Sequence, residues 1–340
     1  MADSTYKVLK IVKIAKRWGL DWFILALVAA IVLAFLWPEA GYKESVIPLS
    51  TIATWGISVI FFFYGLKLNP QKLKSGLKNW RVHLVIQLTT FGFFPLLVII
   101  AKSIIGTAVD ENLWLGIFFL ACLPGTISSS VVLVSIAKGN MPSAIFNSSI
   151  STLLGIFITP FWIGLYLGTS SADFDFGPVI IKLLLQVLFP VILGMLLHFK
   201  WGAAAEKYGN ILAYFNQIVI LLIVYTSFCD SFANNIFAGY SAVMLMLLGA
   251  SLILLFYIVY FVVFVAGRLL GFSREEKITA LFCGSNKSLV HGSLMSKVLF
   301  AGSPLAGVVL LPIMMYHALQ LVMGSIIAQR FAGNISGANS

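Results

Sequence analysis

The chain has 340 residues, 60% of them hydrophobic and only 10% charged, with 28 phenylalanines and a net charge of +10 at pH 7. That balance excludes a soluble globular domain and predicts an all-α polytopic membrane protein. The positive charge is no nucleic-acid signature, because its placement along the chain accounts for it.

A basic segment (Lys7, Lys10, Lys13, Lys16, Arg17) precedes the first apolar run. Many more apolar runs follow, so residues 1–19 read as a cytoplasmic tail rather than a signal peptide. Tracts long enough to cross a bilayer core of about 30 Å fall at Leu20–Trp37, Val46–Leu66, Val82–Ile100, Leu113–Ala137 and Ala144–Leu167. Five more fall at Val179–Leu197, Ile211–Phe228, Tyr240–Gly267, Lys277–Ala301 and Leu305–Ala328, which makes ten spans. Cys122, Cys229 and Cys283 lie inside these tracts with no metal or disulfide spacing, and read as small core residues.

Charge orients the spans. With the N-terminus inside, the inner side receives the five basic residues of the tail, then Lys67, Lys72, Lys74, Lys78 and Arg81. Lys138, Lys200, Lys207, Arg268, Arg274, Lys277 and Arg330 bring it to 17 of the 22 Lys and Arg. Only Lys43, Lys102 and Lys182 fall outside, where Glu39, Glu44, Asp110, Glu111, Asp173, Asp175 and Asp230 also collect. The bias puts both termini in the cytoplasm. Five spans per half turn the second copy upside down, giving inverted repeats at 20–170 and 171–330 with a disordered tail at 331–340.

Two spans should break. Leu123–Ser130 reads LPGTISSS inside span four, where Pro124 removes a backbone donor and Gly125 loosens the turn. Leu281–Lys297 reads LFCGSNKSLVHGSLMSK in span nine, packing Gly284, Ser285, Asn286, Lys287, Ser288, His291 and Gly292 together. Interrupted spans at corresponding places of two halves are the strongest sequence pointer to a transporter's binding site. Irregular backbone at that depth requires a protein-enclosed cavity.

Lys287 is the sharpest residue, since a lysine at the bilayer centre costs about 2.5–3.5 kcal/mol on insertion scales. It is either a structural cation satisfying helix ends, a receptor for an anionic substrate group, or a stand-in for a coupling cation. His291, one turn on, is either a proton carrier or a hydrogen-bonded structural group. In span five, Asn147/Ser151 and Ser148/Thr152 are spaced i, i+4 and share a face. Such hydroxyls either bond their own i−4 carbonyl or line an ion path. Gln87 and Thr90 on span three, and Tyr316 and Gln320 on span ten, are further candidates. No prenyl-diphosphate, zinc, phosphate-loop or Ser/His/Asp signature is found, so an enzyme is not expected.

The stretches PGTISSSVVLVSIAKGN (Pro124–Asn140), AIFNSSISTLLGIFITP (Ala144–Pro160) and SNKSLVHGSLMSKVLFAG (Ser285–Gly302), with PIMMYHALQLVMGSII after them, resemble the bile acid:sodium symporter family, solute carrier family ten. The Asn-Lys-Ser-Leu form in span nine is most similar to the YfeH-like bacterial branch. The resemblance implies ten helices in two inverted repeats of five, with broken helices four and nine crossing in a core that moves against a panel of spans one, two, six and seven. It implies sodium behind the crossover and an organic anion in the adjoining crevice. Ser129 and Ser130 fall near the family's Ser-Asn after the Pro-Gly turn, one residue further from Gly139-Asn140. Ser148, Ser151 and Thr152 match its helix-five polar positions, and Asn286 falls on the Gln of its Glu-x-Gly-x-Gln-Asn motif. The family's glutamate aligns near Phe282 and its following asparagine becomes Lys287, so a carboxylate has gone and a positive charge has arrived.

These readings converge on a secondary active transporter for a small amphipathic organic anion, with sodium or a proton as the candidate coupling ion and no other cofactor. Ser129, Ser130, Asn147, Ser148, Thr152 and Asn286 are the candidate cation ligands. Lys287, Ser285, Ser288, His291, Thr126, Gln87 and Gln320 are the candidate substrate or charge-balancing residues. The expected partners are the lipid bilayer and the anion. The alternative is a non-transporting membrane regulator that keeps the fold without ion coupling.

Overall fold

The computed structural model describes residues 22–41, 48–67, 79–106, 109–126, 128–170, 181, 184–301 and 303–336. The basic tail, Lys43, Glu44, Lys72, Lys74, Lys78, Asp173, Asp175, Lys182 and the final residues 337–340 lie outside them. Among the described residues every regular element is helical, as an apolar medium demands, because a helix satisfies its own backbone.

The first half contains α1 (Trp22–Leu36), the short α2 (Pro38–Gly41), α3 (Leu49–Lys67), α4 (Trp80–Leu88), α5 (Phe94–Ile105), α6 (Glu111–Cys122), α7 (Ser128–Ile136) and α8 (Met141–Ser170). The second contains α9 (Phe189–Lys207), α10 (Gly209–Ala233), α11 (Ala242–Leu269), α12 (Arg274–Ser285), α13 (Leu289–Leu299) and α14 (Ala306–Ser336). A π-helical turn, Thr89–Phe93, joins α4 to α5, and another, Leu184–Leu188, leads into α9. Among the described residues seven helical stretches are long and apolar enough to cross a membrane, and Leu25–Leu36 and Glu111–Cys122 are shorter apolar helices. The chain is a polytopic, all-helical membrane protein.

Local chemistry sets the helix ends. Asp110 caps α6 by accepting from the Asn112 and Leu113 amides at 3.0 and 3.3 Å. Ser273 and Glu276 form a reciprocal capping box at the start of α12. The turn after α7 passes through Lys138 at φ 58°, a left-handed residue after which the Gly139 amide returns to the Val134 carbonyl at 2.8 Å. That turn is pinned to α12, for the Asn140 amide donates to Thr279 Oγ1 at 2.9 Å.

Burial divides the helices. In α6 every residue from Leu113 to Cys122 is buried, and in α12 every residue from Ile278 to Ser285. A helix buried on all sides belongs to the interior. By contrast Leu184–Lys207 buries only 22% of its most apolar window, against 56% for Ala306–Ala332. The last helix is therefore central, and α9 presents Leu196 and Phe199 to the outside.

Close approach is paid for with glycine. At the α3–α9 contact, a Cβ on Gly65 would run into the Val191 carbonyl and one on Gly194 into the Phe62 carbonyl. At the α6–α14 contact, a Cβ on Gly116 would lie 3.0 Å from Pro312 Cγ. Without a hydrophobic drive between helices in lipid, such small-residue seats carry the packing. Because carbonyls of a helix cannot move aside, Gly65→Val or Gly194→Val should each lower stability by about 1–3 kcal/mol. Thermal melts of the purified protein in detergent check this, and unchanged melting temperatures would contradict the seat.

Candidate functional site

The site grows from the end of α6. Leu123 turns extended (φ −71°, ψ 152°), as a residue before proline is pushed to do, and Pro124 has no amide to return to the helix. The last carbonyls of α6 therefore lose their helical partners, and in this buried place each finds another. Leu120 accepts from the Leu123 amide at 3.2 Å, Cys122 from Thr159 Oγ1 at 2.7 Å, and Pro124 from the Ser288 amide at 3.0 Å. Ala121 and Leu123 both accept from the Lys287 ammonium, at 2.6 and 2.9 Å.

The third ammonium hydrogen goes to the Thr90 carbonyl at 2.8 Å. That carbonyl is free for a local reason. In the π-helical turn the Phe94 amide reaches back to Thr89, and the next residue, Pro95, has no N–H to offer Thr90. The Phe94 ring centroid lies 4.1 Å from Lys287 Nζ, so its π face covers the cation. Lys287 is 1% exposed. Three carbonyl dipoles, two of them at the negative end of α6, and one aromatic face thus hold the charge with no carboxylate.

A second set of bonds fixes the extended stretch that carries Lys287. Gln320 of α14 accepts from the Lys287 amide at 2.7 Å and donates to the Lys287 carbonyl at 2.8 Å. One side-chain amide thereby satisfies both backbone groups of Lys287, which lies between α12 and α13. Tyr316, one turn earlier, donates to the Ser285 carbonyl at 2.7 Å. At Gly125 the two irregular stretches meet, since a Cβ there would lie 3.2 Å from the Cys283 carbonyl and 3.6 Å from that of Asn286.

Some of the predicted residues converge here. Asn286 Nδ2 donates to Ser130 Oγ at 3.1 Å, Ser130 donates to the Phe282 carbonyl at 3.3 Å, and Ser148 donates to the Thr126 carbonyl at 3.4 Å. Ser129 Oγ and Asn286 Oδ1 are buried with no hydrogen-bond partner. Others serve the backbone: Thr152 bonds the Ser148 carbonyl at 3.0 Å and Ser285 the Leu281 carbonyl at 2.6 Å, each four residues back. Ser151 accepts from the Gly125 amide at 3.0 Å.

Asn147 and Gln87 form a separate group. Gln87 Nε2 donates to Asn147 Oδ1 at 3.3 Å, and Asn147 Nδ2 pairs with His83 Nδ1 at 2.8 Å and with the Ser143 carbonyl at 2.9 Å. Gln87 Oε1 and the nearby Thr90 Oγ1 are buried and unpartnered. Ser288 caps α13 and bonds His291 Nδ1 at 2.8 Å, while the His291 ring stacks on Tyr64 at 5.3 Å between centroids and leaves its buried Nε2 without a partner. Among the described residues no group of three or more His, Cys, Asp or Glu could hold a metal ion.

His83, Tyr64 and His317 (2.9 Å from Gln320 Nε2) take part in the site, yet they are not among the residues that the sequence singles out. For His83 a signal exists in its one-turn spacing before Gln87. Tyr64 carries none, because its partner is 227 residues away in the chain.

The clamp on Lys287 predicts an order of stabilities. Tyr316→Phe forfeits one hydrogen bond, about 1 kcal/mol, whereas Gln320→Leu leaves a buried amide and a buried carbonyl unpaired at about 1–3 kcal/mol each. Melting temperatures should fall in the order wild type, Tyr316→Phe, Gln320→Leu. A Gln320→Leu variant as stable as wild type would contradict the clamp.

Residues 21–333 match the family model of the SBF-like CPA transporter family. The chain is 38% identical to the uncharacterized protein PA2026 of Pseudomonas aeruginosa over 92% of this chain and 93% of that one. It is 34% identical to YfeH of Escherichia coli, again over 92% and 93%, and 32% identical to sodium/bile acid cotransporter 7 of Rattus norvegicus over 93% of both. An all-helical membrane protein matched over nearly its whole length in this way belongs to the SBF-like CPA transporter family.

Proposed function

We propose that this chain is a secondary active transporter that moves a small amphipathic organic anion across a bacterial inner membrane by alternating access. In this reading ten spans form two inverted repeats of five, with both termini in the cytoplasm. Span four is interrupted between α6 and α7 and span nine between α12 and α13. The relative from Rattus norvegicus is named a sodium/bile acid cotransporter, which supports sodium as the coupling ion and an amphipathic anion as the cargo.

The observation that carries the proposal is the Lys287 ammonium on the Thr90, Ala121 and Leu123 carbonyls, where the two irregular stretches meet. Carbonyl oxygens around a desolvated charge are what an alkali cation also requires. Lys287 acts as a tethered cation that fills one such site throughout the cycle. A mobile sodium then binds beside it, at Ser129 and Asn286, whose side-chain oxygens are buried and unpartnered. Ser130 and Ser148 hold these ligands in place.

Because Lys287 does not leave with the cargo, its positive charge persists and attracts the anion in both orientations. Phe282, fully buried where the family carries a carboxylate, favours the second reading, a regulator without ion coupling.

Two measurements test the proposal. Lys287→Ala should abolish uptake of labelled organic anions into proteoliposomes, and full uptake would sink the tethered-cation role. Wild-type melts at equal ionic strength should show a higher melting temperature in sodium chloride than in potassium or choline chloride. A ligand at 100 times its Kd adds about 2.7 kcal/mol. Ser130→Ala should remove that difference, and a wild type indifferent to the cation would overturn sodium coupling.

A further inference from the structure

The contacts between α10 and the paired helices α13 and α14 are built unlike ordinary apolar packing. Ser231 of α10 donates to the Pro304 carbonyl at 2.5 Å and accepts from the Gly307 amide at 3.1 Å. The Gly307 amide is in the first turn of α14 and has no partner within its own helix. A hydroxyl from another helix therefore caps α14. Ser303, the nearest hydroxyl of the same segment, is engaged with the Leu305 amide at 3.2 Å.

Gly307 makes the approach possible. A Cβ there would fall 2.5 Å from Ser231 Oγ, 3.0 Å from Ser231 Cβ and 3.1 Å from the Ser227 carbonyl. One turn below, Lys297 of α13 donates to Thr226 Oγ1 at 3.2 Å. Ser227, beside it, is fully buried with its hydroxyl unpartnered. Deeper still, His291 of α13 lies against Tyr64 and Phe61 of α3.

This row of contacts runs from the meeting point of the irregular stretches to the Pro304 end of the molecule. Its upper members, Ser231, Gly307, Ser227, Thr226 and Lys297, are small or polar, and Pro304 and Ser303 are only half-buried. Water can take over each bond when the helices part, so the seam closes tightly yet opens without stranding a polar group.

We infer that the Ser231–Gly307 seat is the gate at the Pro304 end of the transport path, and that the structure captures it closed. The inference rests on the alternating-access reading, in which α3 and α10 belong to the panel and α13 and α14 to the core. The proposed orientation places the seat on the outer side. Opening separates Ser231 from Gly307 and exposes the buried Ser227.

The test places a reporter behind the gate. In a Cys229→Ala background, Ser227→Cys is exposed to a membrane-impermeant thiol reagent added from the Pro304 side. Ser231→Ala, which removes the cap, and Gly307→Val, which wedges the seat, should each raise the labelling rate several-fold. Ser231→Ala barely alters shape and keeps the test valid should Gly307→Val fail to fold. Labelling rates unchanged in a folded Ser231→Ala protein would overturn the gate. A second variant pairs Ser231→Cys with Gly307→Cys, whose Cβ atoms, 3.0 Å apart before adjustment, are within a small shift of the usual disulfide spacing of about 3.8 Å. Oxidation should stop anion uptake and reductant restore it, whereas undiminished uptake by the cross-linked protein would also overturn the gate. Labelling that responds to Ser231→Ala in a protein that moves no anion would leave the gate standing and remove the transport reading instead.

Discussion

A carbonyl that loses its helical N–H inside a bilayer must find another donor, since water is not there to supply one. Pro95 and Pro124 each deprive this chain of an amide at a buried position, and α6 ends where the second does so. The carbonyls of Thr90, Ala121 and Leu123 are left facing one another across a few ångströms. Three bare dipoles pointing inward form an intense negative patch, and Lys287 answers it with one hydrogen for each oxygen. The ammonium is costly to bury by itself and the carbonyls are costly to leave unpaired. Together they satisfy both requirements, and the rest of the site is arranged to keep them together.

That arrangement explains why α14 is the most buried of the long helices. Its Gln320 reproduces a peptide group for Lys287, accepting from the amide and donating to the carbonyl. Its Tyr316 secures Ser285 two residues earlier, and its Pro312 supplies the surface on which Gly116 rests. The irregular stretch is therefore held by side chains in place of backbone.

The remaining polar groups separate according to whether their bonds are complete. Thr152, Ser149 and Ser285 return to carbonyls of their own helices and leave little chemistry to spare. Ser129 Oγ, Asn286 Oδ1, Gln87 Oε1, Thr90 Oγ1 and His291 Nε2 are buried and lack partners. Unsatisfied groups are expensive to bury, and Asn216 Oδ1, Ser227 Oγ and Ser293 Oγ, on α10 and α13, are in the same state.

Much of this could be read in advance. Apolar length and charge bias pointed to a polytopic helical membrane protein, because uninterrupted apolar tracts of about 20 residues suit spanning helices rather than the short alternating strands of a barrel. Pro124 with Gly125, and the run from Gly284 to Ser288, marked where helices end, since proline and glycine act on the residues next to them. The sequence also singled out Lys287, as an ammonium at mid-span demands explanation. What it left open was which explanation holds. Whether the ammonium meets helix-end carbonyls, an anion or nothing depends on oxygens contributed by residues 164 to 197 positions away. The same limit applies to Tyr64 against His291 and to Ser231 beneath Gly307. Local chemistry decides where a helix stops, and it is legible along the chain. Which donor then reaches each freed acceptor is decided by how the helices pack, and only the tertiary structure holds that information.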